Sequence, residues 1–243
     1  MTDHTVIVTG GSSGIGRSIC EHYLGIGYRV LNVALRPLVL DSSNLHNFSV
    51  DLSDRDATAT LAKTICARYD VDTLVHNAGL IRSAAIDKVD LDDLDYLTNV
   101  HLAASITLLQ ACLPSMKQRR YGRVVLVSSR AVQGMQGRTN YAATKAGMIA
   151  QARTWALELG GFGITVNSVA PGPIQATEMF HDVFAEGDPK IDAIAQTLPL
   201  GRVGLPYDVA RAVLFFGTEE NKFITGQNLF VCGGASLGGL SIS

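Results

Sequence analysis

Short runs of β-branched and other apolar residues alternate with segments of helical period along the whole chain. Most of these runs are apolar on both faces, as is typical of strands in a parallel sheet that helices cover on each side. Parallel neighbours need crossover connections, which the helical segments supply. The pattern predicts an α/β fold, a single doubly wound Rossmann domain with a seven-stranded parallel sheet. The seven runs are residues 6–8, 30–33, 48–50, 74–76, 124–127, 164–167 and 228–231.

The connections refine this picture. We find no linker, internal repeat or low-complexity tract, so residues 1–243 are predicted to form one domain. The connection over residues 36–48 is short and polar, so its helix is short or absent. Residues 174–200 mix apolar side chains with glycine and proline after the sixth run, which predicts a substrate-loop lid over the carboxyl edge of the sheet.

Charge and cysteine content narrow the classes of partner. With 20 basic and 22 acidic residues and a net charge of -2, nothing favours nucleic acid or an anionic membrane surface. No run approaches the roughly 20 apolar residues of a membrane span, and the N-terminus lacks leader features, so a cytoplasmic location and a small-molecule substrate are expected. The four cysteines form no ligand pattern, which predicts reduced, buried thiols and no metal site; they are Cys20, Cys66, Cys112 and Cys232.

A glycine-rich turn follows the first run, where residues 9–16 read TGGSSGIG before a helical segment. Glycine lets the backbone turn sharply and approach a pyrophosphate, and the N-terminus of the next helix offers N–H groups and a positive dipole. The spacing differs from the usual G-x-G-x-x-G, and a plain tight turn is the alternative interpretation. The predicted phosphate-binding residues are Gly10, Ser12, Ser13, Gly14, Ile15 and Gly16.

The end of the second run favours one nicotinamide cofactor over the other. Residues 33–36 read VALR, with no acid to accept a hydrogen bond from a ribose 2'-hydroxyl. The guanidinium of Arg36 can pair with a 2'-phosphate instead, so the sequence favours NADP(H) over NAD(H). A solvated surface arginine remains the alternative interpretation.

Six segments in this order resemble the short-chain dehydrogenase/reductase family over essentially the whole chain. They are TGxxxGxG at residues 9–16, Asp51-Leu52, HNAG in place of NNAG at 76–79, YxxxK at 141–145, the PG turn at 171–172 and TGQ at 225–227. The threonine after the PG turn stands one place later than in the family's PGxIxT, and Cys232 replaces a common aspartate, with no chemistry assigned to it. The resemblance implies further cofactor contacts from Asp51, Leu52, Asn77, Ala78, Gly79, Tyr141, Lys145, Pro171, Gly172, Ile174 and Thr177.

Tyr141 and Lys145 lie four residues apart and therefore share one face of a helix. A free tyrosine has a pKa near 10, and a nearby ammonium can lower it by roughly 1 to 3 units. We therefore expect Lys145 to lower the pKa of Tyr141, so that the phenol exchanges a proton with the substrate oxygen. The resemblance also implies that Lys145 holds the nicotinamide ribose.

Two further catalytic positions follow from the resemblance. The end of the fifth run places Ser129 as the residue that hydrogen-bonds the substrate oxygen, with Ser128 as the structural alternative. The family's asparagine in the helix after NNAG aligns with His101, a departure that leaves two interpretations open. His101 is either part of a proton relay or a buried histidine satisfied by backbone groups.

The sequence therefore predicts NADPH-dependent reduction of a carbonyl to an alcohol, similar in motif layout to 3-oxoacyl carrier-protein reductases. The alternatives are an NAD-dependent alcohol or dihydrodiol dehydrogenase and a non-catalytic dinucleotide-sensing protein. The resemblance also implies a homotetramer, with a homodimer as the other possibility. Met135, Met179 and Phe180 are candidate pocket residues, whereas Arg130 and Arg138 fit solvated surface better than contact with an acidic substrate.

Overall fold

The computed structural model describes residues 4–177, 180, 185 and 188–237 of the 243. Its seven strands form one parallel sheet in the order β3-β2-β1-β4-β5-β6-β7, and helices cover both faces, as predicted. The strands are β1 (Thr5–Thr9), β2 (Arg29–Ala34), β3 (Leu45–Ser49), β4 (Thr73–His76), β5 (Gly122–Val127), β6 (Ile164–Pro171) and β7 (Asn228–Val231). The α-helices of the described residues are α1 (Gly14–Gly25), α2 (Arg55–Arg68), α3 (Leu91–Thr98), α4 (Ala104–Arg119), α5 (Thr139–Leu159), α6 (Pro189–Thr197) and α7 (Pro206–Gly217).

Burial explains why the strand runs lack a polar face. Every residue of β1, β4, β5 and β6 is buried, because helices pack on both sides of the sheet. One core lies between the sheet and α2, α4 and α5, and the other lies between the sheet and α1 and α7. The edge strands β3 and β7 contain only partly buried or exposed residues, as expected where one neighbour is missing.

The strand order fixes the position of the site. The chain passes from β1 outward to β3, then returns to place β4 on the other side of β1. Connections leave β1 and β4 in opposite directions at their carboxyl ends, which opens a crevice between them. β1 ends at Thr9, β4 at His76 and β5 at Val127, so the segments that follow these residues meet at one edge.

A long helical run over residues 91–119 consists of α3, a π-helical turn at Asn99–Ala103 and α4. By length and composition alone this run is apolar enough to cross a membrane. Its buried side chains, among them Leu108 and Met116, belong to the core between α4 and the sheet. We therefore interpret it as a core helix with a local widening at His101.

Two sequence predictions change in detail, and a third is confirmed. The third strand is Leu45–Ser49, where residues 48–50 had been expected, because its register is set by pairing with β2. No helix occurs between β2 and β3, in agreement with the short polar connection. Cys66 is only partly buried, and its Sγ lies 3.7 Å from Sγ of Cys112, although all four cysteines are free thiols as expected.

Candidate active site

A cavity of about 780 Å³ opens at the carboxyl edge of the sheet. The predicted residues of the glycine turn, the ends of β2 to β5, the PG turn and the Tyr141–Lys145 pair all line it. The described part of the predicted lid contributes Ile174, Thr177, Phe180 and residues near the end of α6. Met135 lines the cavity as well, whereas Met179 lies outside the described residues.

In the glycine turn, the backbone of Gly16 packs closely against the backbone of Gly10. Gly10 has φ +66°, and a Cβ on Gly16 would lie 2.0 Å from the carbonyl oxygen of Gly10. Only glycine fits at these two positions. The N-cap residue Ser13 makes no side-chain cap to α1, so the first N–H groups of the helix face the cavity without a capping side chain. This cradle fits the pyrophosphate of a nicotinamide dinucleotide.

Two asparagine side chains form hydrogen bonds with the backbone of the glycine turn. The Nδ2 of Asn77 donates to the carbonyl oxygens of Thr9 at 3.1 Å and Gly10 at 3.2 Å. The Oδ1 of buried Asn32 accepts from the backbone N–H of Gly11 at 3.0 Å. Sequence reasoning missed Asn32, and its signal is a polar residue inside an otherwise apolar strand.

One end of the cavity lies where β2 and β3 finish. Arg36, Asp51 and Leu52 all line it there, so the structure brings these predicted residues together. The Oδ1 of Asp51 accepts from the N–H of Ser53 at 2.9 Å and its hydroxyl at 2.7 Å, which fixes the carboxylate. The carboxylate follows the end of β3 by two residues.

The PG turn closes the opposite wall. A Cβ on Gly172 would lie 2.7 Å from Cα of Cys232, so the last strand packs directly on the turn. The Oγ1 of Thr177 donates to the carbonyl of Ile174 at 3.1 Å, and its methyl group lies against Gly14 of the glycine turn. The displaced threonine therefore reaches the cofactor cradle despite its shift along the sequence.

Tyr141 lies on the first turn of α5 with only 6% of its surface exposed. Burial raises the pKa of its phenol above the usual 10, while hydrogen bonding by Ser129 and the charge of Arg138 lower it by less. The prediction that Lys145 lowers this pKa is therefore wrong. Its physical reason is that Lys145 is itself fully desolvated, and burial lowers the pKa of the ammonium to about 7.

Lys145 is held at the floor of the cavity. Its Nζ donates to the carbonyl of Val127 at 2.8 Å and lies 3.5 Å from Sδ of Met148. A Cβ on Gly79 would lie 3.1 Å from this Nζ, so the ammonium packs closely against the backbone of Gly79. The charge thus sits between the end of β5 and the HNAG segment.

The two candidate serines differ in their contacts. Ser128 is 3% exposed, and its hydroxyl donates to the carbonyl of Lys145 at 2.7 Å. Ser129 is partly exposed to the cavity and interacts with the phenol of Tyr141, while its Oγ accepts from the N–H of Ala131 at 3.1 Å. Both serines line the cavity, but the hydroxyl of Ser128 is bound to the backbone of α5, whereas Ser129 lies beside the phenol.

His101 projects from the π-helical turn toward Gly79. Its Nδ1 lies 2.9 Å from Oγ1 of Thr144, and this hydroxyl donates to the carbonyls of Asn140 and Tyr141. The hydroxyl oxygen therefore accepts the proton of Nδ1, and Nε2 carries the lone pair. Nε2 is buried without a hydrogen-bond partner among the described residues, 2.8 Å from where a Cβ on Gly79 would stand.

His76 occupies the first position of the HNAG segment and is fully buried. The Oγ1 of Thr9 accepts from the N–H groups of Asn77 and Ala78, so its own proton goes to Nδ1 of His76 at 3.1 Å. Nε2–H then donates to the carbonyl of Val100 at 3.0 Å, inside the π-helical turn. Burial lowers the pKa of His76 to about 3, so the ring is neutral at pH 7. It links β1, β4 and the turn that carries His101 through its hydrogen bonds.

The comparisons with known proteins agree with this geometry. A family profile described as enoyl-(acyl carrier protein) reductase matches residues 10–236. The chain is 34% identical to 3-oxoacyl-[acyl-carrier-protein] reductase FabG of Thermotoga maritima, over 94% of the chain and 96% of the relative. It is also 34% identical to (2S)-[(R)-hydroxy(phenyl)methyl]succinyl-CoA dehydrogenase subunit BbsD of Thauera aromatica, over 97% of each protein. A structure of ElxO with NADP bound superposes with a TM-score of 0.89 at 27% identity, covering 97% of this chain and 99% of that one.

Proposed function

Because this chain belongs to the short-chain dehydrogenase/reductase family, we propose that it is an oxidoreductase that reduces a ketone or other carbonyl to an alcohol with NADPH. The observation that carries the proposal is the meeting of Ser129, Tyr141 and Lys145 in the cavity that also contains the glycine turn. The bound dinucleotide would supply the hydride. The protein's own residues have to hold the substrate oxygen, deliver a proton to it and return that proton from solvent.

Tyr141 is the proton donor in this proposal. Its high pKa keeps the phenol protonated at neutral pH, as the reducing direction requires. Ser129 donates a second hydrogen bond to the same substrate oxygen, where negative charge develops in the transition state. Lys145, whose Nζ lies 5.8 Å from the centre of the Tyr141 ring, holds the nicotinamide ribose in this proposal, as the resemblance implies.

In this scheme His101 is a positioning residue, which acts on the proton path through Lys145. Its lone pair on Nε2 and the ammonium of Lys145 both approach Gly79, so one water can link Nζ to Nε2. Burial and the charge of Lys145 lower the pKa of His101 well below 6.5. The neutral ring therefore keeps its acceptor available near pH 7.

NADPH is preferred to NADH in this proposal because Arg36 lines the cavity just after β2, and residues 33–36 contain no acidic side chain to bind a ribose 2'-hydroxyl. The structure of ElxO contains NADP, which supports this choice by likeness. We also propose that the predicted residues from the glycine turn to Thr177 contact the cofactor, as the resemblance implies. The alternative of a non-catalytic sensor is not favoured, since the curated relatives are named as a reductase and a dehydrogenase.

The remaining proposals concern the whole molecule. We propose one domain over residues 1–243 with a lid over 174–200, a cytoplasmic location, and assembly as a homotetramer, with a homodimer as the alternative. Exposed apolar side chains on α4 and α5, such as Ile106 and Leu157, support association of these helices between subunits. Sedimentation of the purified chain distinguishes the monomer, dimer and tetramer.

A carbonyl-substrate screen that follows nucleotide absorbance tests the reaction with NADPH and NADH. Turnover of at least one ketone is expected, with higher kcat/KM for NADPH. The Tyr141→Phe variant should lose turnover by about 10²-fold or more, because it lacks the donated proton, while its affinity for NADPH stays nearly unchanged. Equal turnover by the variant and the wild type would refute the proposed chemistry.

A further inference from the structure

Two arginines, Arg130 and Arg138, line the same cavity as the proposed proton donor. Arg130 directly follows Ser129 and begins the 3-10 turn Arg130–Gln133, and Arg138 is the N-cap residue of α5, three positions before Tyr141. Both are partly buried and both line the cavity, so neither is the solvated surface residue that the sequence favoured. Resting on the proposed function, we infer that the substrate is an oxo acid whose carboxylate binds Arg130 and Arg138.

The two guanidinium groups lack the partners that other arginines have. Arg17, Arg82 and Arg202 each form an ion pair with a carboxylate on the protein. Within residues 4–177, 180, 185 and 188–237, neither Arg130 nor Arg138 forms an ion pair or a side-chain hydrogen bond. A guanidinium in a cavity wall loses part of its hydration, and an anionic ligand restores the favourable interaction.

The charges that line the described cavity are arranged asymmetrically. The acidic residue of its wall, Asp51, lies beside the end of β3 and is bound by Ser53. Around Tyr141 the charged groups are all positive, namely Lys145, Arg130 and Arg138. Such a grouping attracts an anion to the reacting end of the cavity.

The rest of that end is apolar, with walls formed by Leu80, Ile81, Met135, Phe180, Ile194 and Leu198. An apolar chamber whose wall also carries two guanidinium groups suits a compound with a hydrocarbon body and one carboxylate. Arginine binds a carboxylate with two parallel hydrogen bonds, which would also fix the orientation of the ketone.

The position of Arg138 limits the distance between carboxylate and ketone. Its charge acts on the phenol of Tyr141, whose pKa it lowers. Arg138 precedes Tyr141 by three residues where α5 begins, and both line the cavity, so a carboxylate bound to Arg138 would place the ketone of a short oxo acid near Tyr141. A thioester next to the carbonyl is uncharged and makes no use of this pair, so a free 3-oxo or 4-oxo acid fits better than the acyl thioester of a carrier protein.

The test uses matched acids and esters with NADPH, namely acetoacetate with methyl acetoacetate and levulinate with methyl levulinate. In the wild type, kcat/KM for an acid should exceed that for its ester by about tenfold or more. Arg138→Gln and Arg130→Gln should each remove most of this preference, lowering kcat/KM for the acid about tenfold and changing the ester little. The matched control is Arg68→Gln on α2, an exposed arginine outside the cavity, which should keep the wild-type preference.

A binding measurement separates this inference from the proposed reaction. Calorimetry on Tyr141→Phe saturated with NADPH reports the affinities for acid and ester without turnover, alone and combined with Arg138→Gln. If the acid binds more tightly than the ester and Arg138→Gln abolishes this difference, the arginine pair is supported. That conclusion holds even if the wild type turns over neither compound, because the lack of turnover would refute only the reductase proposal. No preference for acids over esters, in turnover and in binding alike, overturns the inference and leaves the reductase proposal standing.

Discussion

The Nζ atom of Lys145 lies 5.8 Å from the centre of the Tyr141 ring, and both side chains are almost completely buried. They share one face of α5, so the helix itself sets their separation. Burial acts on the two groups in opposite directions. It raises the pKa of the phenol and lowers that of the ammonium, so both groups tend toward their neutral forms.

The stability of the protein without added nucleotide should therefore depend on the titration of Lys145. Its pKa is about 7 in the folded protein against a reference value of 10.5. Between these values the unfolded chain binds a proton that the folded chain lacks, so the free energy of unfolding rises with pH, by up to about 1.4 kcal/mol per unit. Below about pH 7 both states are protonated, and the cost of burying the charge is fully present.

Urea unfolding of the wild type and Lys145→Met from about pH 6 to about pH 9 measures this contribution. The difference between the two curves isolates Lys145, since the other titrating groups are common to both proteins. The wild type should gain stability relative to the variant as pH rises. Parallel curves would show that Lys145 keeps its proton throughout this range.

The two serines after β5 should respond differently to loss of the hydroxyl. Ser129→Ala removes a donor to the substrate oxygen and should lower kcat about 10²- to 10³-fold. It also removes the hydrogen bond that the hydroxyl accepts from the N–H of Ala131, which should cost about 1 kcal/mol of stability. Ser128→Ala removes the hydrogen bond to the carbonyl of Lys145 and should cost about 1 kcal/mol of stability, with a much smaller loss of activity. Steady-state kinetics and urea unfolding of both variants give the comparison, and the reverse ranking would assign the catalytic hydroxyl to Ser128.

His101 should affect the proton path more than the binding of nucleotide. His101→Leu removes the lone pair that faces Lys145, so kcat should fall about tenfold or more while the Kd for NADPH changes little. Loss of an acceptor beside the ammonium disfavours its charged form, so the limb of the pH–rate profile that reports Lys145 should move to lower pH.

His101→Asn supplies the matched control for this prediction. An amide keeps an acceptor oxygen, so this variant should retain more activity than His101→Leu and a pH profile closer to that of the wild type. Equal losses in the two variants with unchanged pH profiles would show that His101 has only a packing role.

Arg36→Gln should reduce the discrimination between the two nucleotides. A guanidinium that binds the 2'-phosphate contributes a charge-assisted hydrogen bond, so its loss should raise the KM for NADPH about 10- to 100-fold and leave that for NADH nearly unchanged. The matched control is Arg211→Gln, an exposed arginine on α7 outside the cavity. An unchanged NADPH/NADH ratio in Arg36→Gln would remove the basis for the proposed preference.

Much of the architecture and part of the site could be predicted from the sequence. Strands that are buried on both faces need apolar residues throughout, so six of the seven runs coincide with the observed strands; only the half-exposed β3 was misplaced. Local spacing placed Tyr141 over Lys145, and strand alternation placed Ser129 toward the cavity, because helical and strand periods are short-range properties of the chain.

Contacts between residues far apart in the sequence determine the pKa shifts and the hydrogen-bond partners in the site, which could not be predicted from the sequence. The direction of each pKa shift depends on how fully Tyr141 and Lys145 are removed from water, and that burial comes from distant segments packed around them. The hydrogen bond that fixes the tautomer of His101 comes from Thr144, 43 residues later in the chain. The sequence by itself determined which residues are present and their local periodicity, whereas the tertiary structure determined their solvation and partners, because dielectric surroundings and hydrogen bonds depend on distances in space.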